Sequence, residues 1–447
     1  MSFGQRWREV REGFERPFWV ANLTELFERL AYYATFSVLA IYLHETLQFS
    51  EEQSGDLVGF FSAVVWFLPI LGGTLADWLG FRKSLALAYL VLGAGYFLLG
   101  SLSAPWMAPL RESMPLTTLV VLVLAVPACG PAIVKPCVVG TTARSSRENV
   151  RSLGYSIYYT LVNVGSTFAP LVALAVRRSW GIEYVFRVSA GCALLMFAAV
   201  VLFYREPRAA AESAKTSFAQ SFRNLFTVLG NLKFMLFLVI FSGYWVIFWQ
   251  EFIALPLFLR GHVNPGSDVE FLLTVGPLSI IFLQIAISQW TRKIPPFAAM
   301  TLGILITSLA WILFAVTDLT WLIDGSWQIG PWTLSATGVP VWGLVALFIV
   351  AVGEMIQSPR FYEYVSRLAP AGQQGVYMGF AFLPIAIGSA LAGVIGGRLV
   401  AYFGEGGREP QQLWWVVAAI GMVTTVLMWL YNRVAKPFAA TGASSEK

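Results

Sequence analysis

Along most of the chain, apolar residues run for about 20 positions before Pro, Gly or a charge cluster interrupts them, the length an α-helix needs to cross a bilayer. Twelve such runs lie near 18–43, 54–78, 83–103, 115–140, 150–176 and 184–204, then near 232–259, 268–290, 296–317, 339–367, 373–402 and 411–433. All are expected to be helical, because an open sheet in lipid leaves backbone groups unpaired. The expected fold class is all-α and polytopic, with twelve transmembrane helices in two six-helix bundles. A polar stretch sets the division: a first bundle over 1–204, a cytoplasmic linker over 205–231, a second bundle over 232–434 and a cytoplasmic tail over 435–447. Two halves of equal span number are the pattern of transporters built from structural repeats.

Composition agrees: 57% of residues are hydrophobic and 12% charged, where soluble domains carry about 25% charge. Basic residues in short loops set the orientation. Arg6 to Arg16, Arg82-Lys83, Arg144 to Arg151, the central linker, Arg292-Lys293 and Arg433 with Lys436 fall on one side, so both termini are expected in the cytoplasm and the protein in the cell membrane. Opposite lie His44, Glu45, Glu51, Glu52, Asp318 and Asp324, with Arg177, Arg178 and Arg260 as exceptions. The net charge of +5 then reflects orientation, and no nucleic-acid partner is expected. Trp106, Trp321, Trp327 and Trp332 read as an interfacial belt. Cys129, Cys137 and Cys192 lack metal-like spacing, no cofactor or metal is expected, and no nucleophile-base pair or phosphate-cradling loop points to an enzyme.

Charge inside the apolar runs is the informative exception. In Thr24-Glu25-Leu26-Phe27-Glu28-Arg29-Leu30-Ala31-Tyr32-Tyr33, the residues Glu25, Glu28, Arg29, Tyr32 and Tyr33 share one helical face. Each charge near a span centre costs about 3 kcal/mol, so this face is expected inward, with Arg29 paired to a glutamate. The fourth run holds Lys135 among Pro127, Pro131 and Pro136, prolines expected to kink the helix beside a cavity. Glu354 opens the charged part of the tenth run. Glu25, Glu28 and Glu354 against Arg29 and Lys135 leave one carboxyl over, a group that in a low-dielectric cavity tends to bind a proton. His44 and His262 fall in outer loops and are not candidate carriers.

Two motifs carry a resemblance. Gly73-Thr74-Leu75-Ala76-Asp77-Trp78-Leu79-Gly80-Phe81-Arg82-Lys83 resembles the loop signature of the major facilitator superfamily, in which Gly73, Asp77, Gly80 and Arg82 form a conformational joint, with Asp77 able to cap the next helix. Glu25-x-x-Glu28-Arg29, Tyr32-Tyr33, Lys135-Pro136, Asn163 and Gly353-Glu354-x-x-x-Ser358-Pro359 resemble, in that order, the motifs of the proton-dependent oligopeptide transporter family, here without its two extra inter-domain helices.

The resemblance implies a proton-coupled symporter importing short peptides or peptide-like solutes, a monomer powered by the proton gradient. Glu25, Glu28 and Arg29 would couple the proton. The substrate site would comprise Tyr32, Tyr33, Phe36, Trp66, Lys135, Asn163, Trp245, Trp249 and Glu354, with Lys135 at the peptide carboxylate and Glu354 at its amine. Four positions depart from the family: Phe36 replaces an arginine, Trp66 a tyrosine, Trp249 an acid and Gly276 an asparagine. Glu251 could replace the lost acid only if its helix unwinds locally. These changes leave two alternatives open, a proton-coupled transporter of a small anion or organic acid and a transport-deficient membrane sensor.

Overall fold

A computed structural model of the chain describes residues 13–70, 79–207, 226, 228–329, 332–369, 374–405 and 408–434. Its long helices follow the apolar runs: α1 Arg16–Ile41, α2 Glu51–Phe67, α3 Phe81–Leu99, α4 Leu116–Arg144, α5 Arg151–Trp180 and α6 Ile182–Phe203. After the linker come α7 Leu232–Phe248, α8 Val275–Thr291, α9 Pro296–Val316, α10 Val341–Leu368, α11 Leu383–Gly404 and α12 Leu413–Val434. Among the described residues, ten helical stretches, spanning α3 to α12, are long and apolar enough to cross a membrane. The charges at Glu25, Glu28 and Arg29 keep α1 out of that set, and its 17-residue length keeps out α2.

Local chemistry explains several ends. Ser50 and Gln53 close a capping box at the start of α2, and the Asn231 side chain accepts from the Phe234 amide at the start of α7. Gly80, at φ +80°, turns the chain into α3. There the amides of Phe81 and Arg82 donate to the Glu206 carboxylate at 2.8 and 3.0 Å, so the acid capping α3 comes from the end of α6. Asp77 and Gly73 lie outside the described residues.

The prolines of the fourth run sit inside one continuous helix, with Pro127 packed against α3 where Gly95 leaves room. Two features depart from the run-by-run reading. The seventh run is broken: α7 gives way to a 3-10 turn at Trp249–Glu251, a short helix at Ala254–Phe258 and a π-turn at Leu259–Val263. Between α9 and α10 the chain forms an antiparallel hairpin, β1 Leu322–Ile329 and β2 Trp332–Pro340. Its register runs from Leu322 opposite Pro340 to Ile329 opposite Trp332, with an irregularity between Ile323 and Gly325.

The two halves touch most closely along α2 and α11, where glycines let backbones meet. A Cβ added to Gly55 would stand 2.5 Å from the Gly393 carbonyl oxygen, and one added to Gly393 would press as hard on that of Gly55. Gly393→Val is therefore expected to lower the thermal unfolding midpoint of the purified protein, with overpacking costing about 1–3 kcal/mol. Gly191→Val, where a Cβ meets nothing within 4 Å, is the control and should leave the midpoint unchanged.

Candidate functional site

The charged face of α1 turns inward, as its spacing predicts. Glu25, Glu28 and Arg29 are 1%, 1% and 3% exposed. Arg29 Nε donates to Glu28 Oε2 at 2.5 Å and stands 3.5 Å from Glu25 Oε1. Neither Glu25 oxygen accepts a hydrogen bond. The cluster lies within the first half, in electrostatic contact with Tyr89 and Tyr96 of α3 and Tyr158 of α5. Gly165 of α5 permits this approach, since a Cβ there would stand 2.5 Å from the Leu26 carbonyl oxygen and 3.1 Å from Arg29 Cβ.

Lys135 stands apart from that pair. Its Nζ lies 3.8 Å from the centre of the Trp66 ring and 5.4 Å from that of Phe382, with no carboxylate in ion-pair range among the described residues. The lysine is thus held by aromatic faces, which attract a cation through their ring quadrupole. Glu25 and Glu28 act on it only at longer range.

Around Lys135 an aromatic seam joins the halves. Phe36 meets Trp249 at 5.1 Å and Phe252 at 5.2 Å between ring centres, Tyr33 meets Phe252 at 6.5 Å, and Trp66 meets Trp249 and Phe382 at 6.2 and 6.1 Å. Tyr32 stacks on Phe36 and Phe61 beneath it. The indole N–H of Trp249 has no hydrogen-bond partner among the described residues, while the Tyr32 hydroxyl and the Trp66 indole interact with each other.

On the second half, two carboxyls face this seam. Glu354 of α10 and Glu251 in the 3-10 turn are electrostatic neighbours of each other and of Tyr33. Neither has an ion-pair partner among the described residues. The chain leaves regular α-helix at Trp249–Glu251, so Glu251 does not follow the period of α7.

Other expected residues also make contacts within the protein. Asn163 Nδ2 donates one hydrogen bond to the Tyr159 carbonyl at 2.8 Å, one turn back in the same helix. Trp245 packs where Gly388 of α11 leaves room, against Tyr244 and Phe248. A Cβ at Gly276 meets nothing within 4 Å, so the missing asparagine leaves open space. Phe61, Phe252 and Phe382 complete the seam and carry no motif that marks them in the sequence.

Among the described residues, the ion pairs joining the halves all lie at the end that carries the hairpin. Arg177 of α5 forks onto Glu270, Nε to Oε1 at 2.5 Å and Nη2 to Oε2 at 3.0 Å, and reaches Asp268 at 3.2 Å. Arg178 bonds Asp268, Ser335 and Thr337, tying α5 to the hairpin. Arg260 holds Glu45, Arg398 holds Asp56, and His262 stands 3.7 Å from Glu51. These pairs account for the basic residues that break the charge asymmetry of the loops. Toward the linker end, Tyr159 of α5 is an electrostatic neighbour of Glu354 of α10 across the halves.

Two helical halves closed at one end around a charged, aromatic seam define a multi-pass membrane transporter of the cell membrane. The sequence profile of the Major Facilitator Superfamily matches residues 22–382, and the chain belongs to that family. Curated relatives include the multidrug resistance protein MdtH of Klebsiella pneumoniae subsp. pneumoniae, 23% identical with 90% of each chain covered, and that of Salmonella arizonae, 22% identical with 93% of each covered. Among solved structures, the nucleoside transporter NupG superposes with a TM-score of 0.73 at 13% identity, covering 94% of this chain and 100% of that one. A peptide transporter POT in complex with sulfate gives 0.69 at 20% identity with 94% of each covered. These structural likenesses concern the fold.

Arg29→Met leaves two carboxylates buried without their cation and is expected to cost about 3–5 kcal/mol of stability. Adding Glu28→Gln should recover part of that loss. Thermal unfolding of the single and double variants checks both values.

Proposed function

We propose that the chain is a proton-coupled symporter that imports short peptides or peptide-like solutes by alternating access, as a divergent member of the proton-dependent oligopeptide transporter family. The observation that carries this reading is the division of charge across the seam. Among the described residues, Lys135 on one half has no carboxylate in ion-pair range, and Glu354 on the other has no cation. A solute with a carboxylate at one end and an amine at the other supplies both partners. Tyr32, Tyr33, Phe36, Trp66 and Trp249 would then enclose its middle. The likeness to solved structures described as peptide transporters supports the same reading.

The proton is assigned to Glu25, which is buried and accepts no hydrogen bond while Glu28 neutralises Arg29. Protonated, the α1 cluster is neutral; ionised, it carries one negative charge. That difference acts on Lys135 at the seam and biases which end of the protein closes.

A second reading, proton-driven export of amphipathic compounds, draws support from the multidrug relatives and from the aromatic residues at 36, 66 and 249. Uptake of labelled dialanine into proteoliposomes under an imposed inward proton gradient separates the two, with organic acids and nitrate as competitors for the anion alternative. Glu28→Gln and Lys135→Ala are each expected to lower gradient-driven uptake at least about tenfold while leaving ligand binding measurable. Unchanged accumulation in both variants would contradict the assignment.

A further inference from the structure

Counted over the seam alone, the ionisable groups are Lys135 on the first half and Glu251 with Glu354 on the second. A simple peptide-like zwitterion matches Lys135 and Glu354 and leaves Glu251 over. Glu251 is 8% exposed, makes no hydrogen bond or ion pair among the described residues, and has Glu354 as its charged neighbour. Two residues earlier on the same 3-10 turn, the Trp249 indole is 2% exposed with its N–H unpartnered, and its ring lies among Phe36, Trp66 and Phe252. A pair of carboxyls near a cluster of tilted and edge-on aromatic rings is the chemistry that recognises an ammonium or a lipophilic cation.

We propose that Glu251 and Glu354, with the faces of Phe36, Trp249 and Phe252, form a cation subsite, so that the seam prefers solutes carrying one more positive than negative charge. This rests on the proposed reading for the carboxylate end of the solute, at Lys135, but not for the cation end. The preferred cargo is a peptide-like amphiphile with a second basic nitrogen. Its carboxylate lies at Lys135, one amine lies at Glu354, and the basic side chain lies at Glu251 against the rings. The 3-10 turn sets Glu251 two residues after Trp249 at the point where α7 leaves regular helix.

The test is binding to the purified full-length protein at neutral pH of alanyl-lysine, dialanine and alanyl-glutamate, with tetraphenylphosphonium as a cation that has no carboxylate. Alanyl-lysine is expected to bind about tenfold more tightly than dialanine, and alanyl-glutamate more weakly still. Glu251→Gln should compress the alanyl-lysine to dialanine ratio to within about twofold, and Glu251→Asp, which keeps the charge, should preserve most of it. A flat series, a preference for alanyl-glutamate, or a ratio that Glu251→Gln leaves unchanged overturns the subsite while leaving peptide transport standing. Tetraphenylphosphonium binding that Glu251→Gln abolishes, with no peptide bound, supports the subsite and removes the peptide reading. Failure of both alanyl-lysine and tetraphenylphosphonium to bind overturns it.

Discussion

A full charge placed in the apolar interior of a membrane protein must be answered by a charge from nearby, and the arrangement around α1 follows from that constraint. Arg29 takes Glu28 as its partner and Glu25 stands at the edge of ion-pair range, so the cluster is closed within one turn of one helix. What remains unanswered lies across the gap: Lys135 on one side, Glu251 and Glu354 on the other. A structure that keeps its α1 charges satisfied locally and its seam charges separated has room for a solute to complete the second set. The aromatic rings between them keep that space apolar, which strengthens each charge's reach.

The same chemistry is used oppositely at the hairpin end. There the charges of the two halves are matched to each other: Arg177 to Glu270, Arg178 to Asp268, Arg260 to Glu45 and Arg398 to Asp56. Glu270 and Asp268 are buried, so opening this end has to replace their partners with water. The β1–β2 hairpin adds a strap, with Asp268 accepting from the Thr337 amide at 2.7 Å and donating its own amide to the Thr337 carbonyl at 2.9 Å. The glycine contacts of α2 and α11 let this end close tightly.

Long apolar runs made the helices legible, because a span is the one way to hide a backbone in lipid. Charge inside such a run made Glu25, Glu28, Arg29, Lys135 and Glu354 legible for the same reason. Glu251 was not readable by helical periodicity, since the period changes at Trp249. The hairpin escaped notice because strands of eight and nine residues beside membrane-depth helices resemble a tryptophan-rich loop. No local signal joins Arg177 to Glu270 over 93 positions, and the aromatic partners Phe61, Phe252 and Phe382 look like any other apolar residue of a span.

The central claim is that solute and proton cross together because the seam and the α1 cluster share Lys135 as a neighbour. The most direct measurement is the internal pH of proteoliposomes when dialanine is added outside with no gradient imposed. The account predicts acidification of the interior that tracks solute uptake. Solute uptake with constant internal pH, or an interior that turns alkaline, would contradict it.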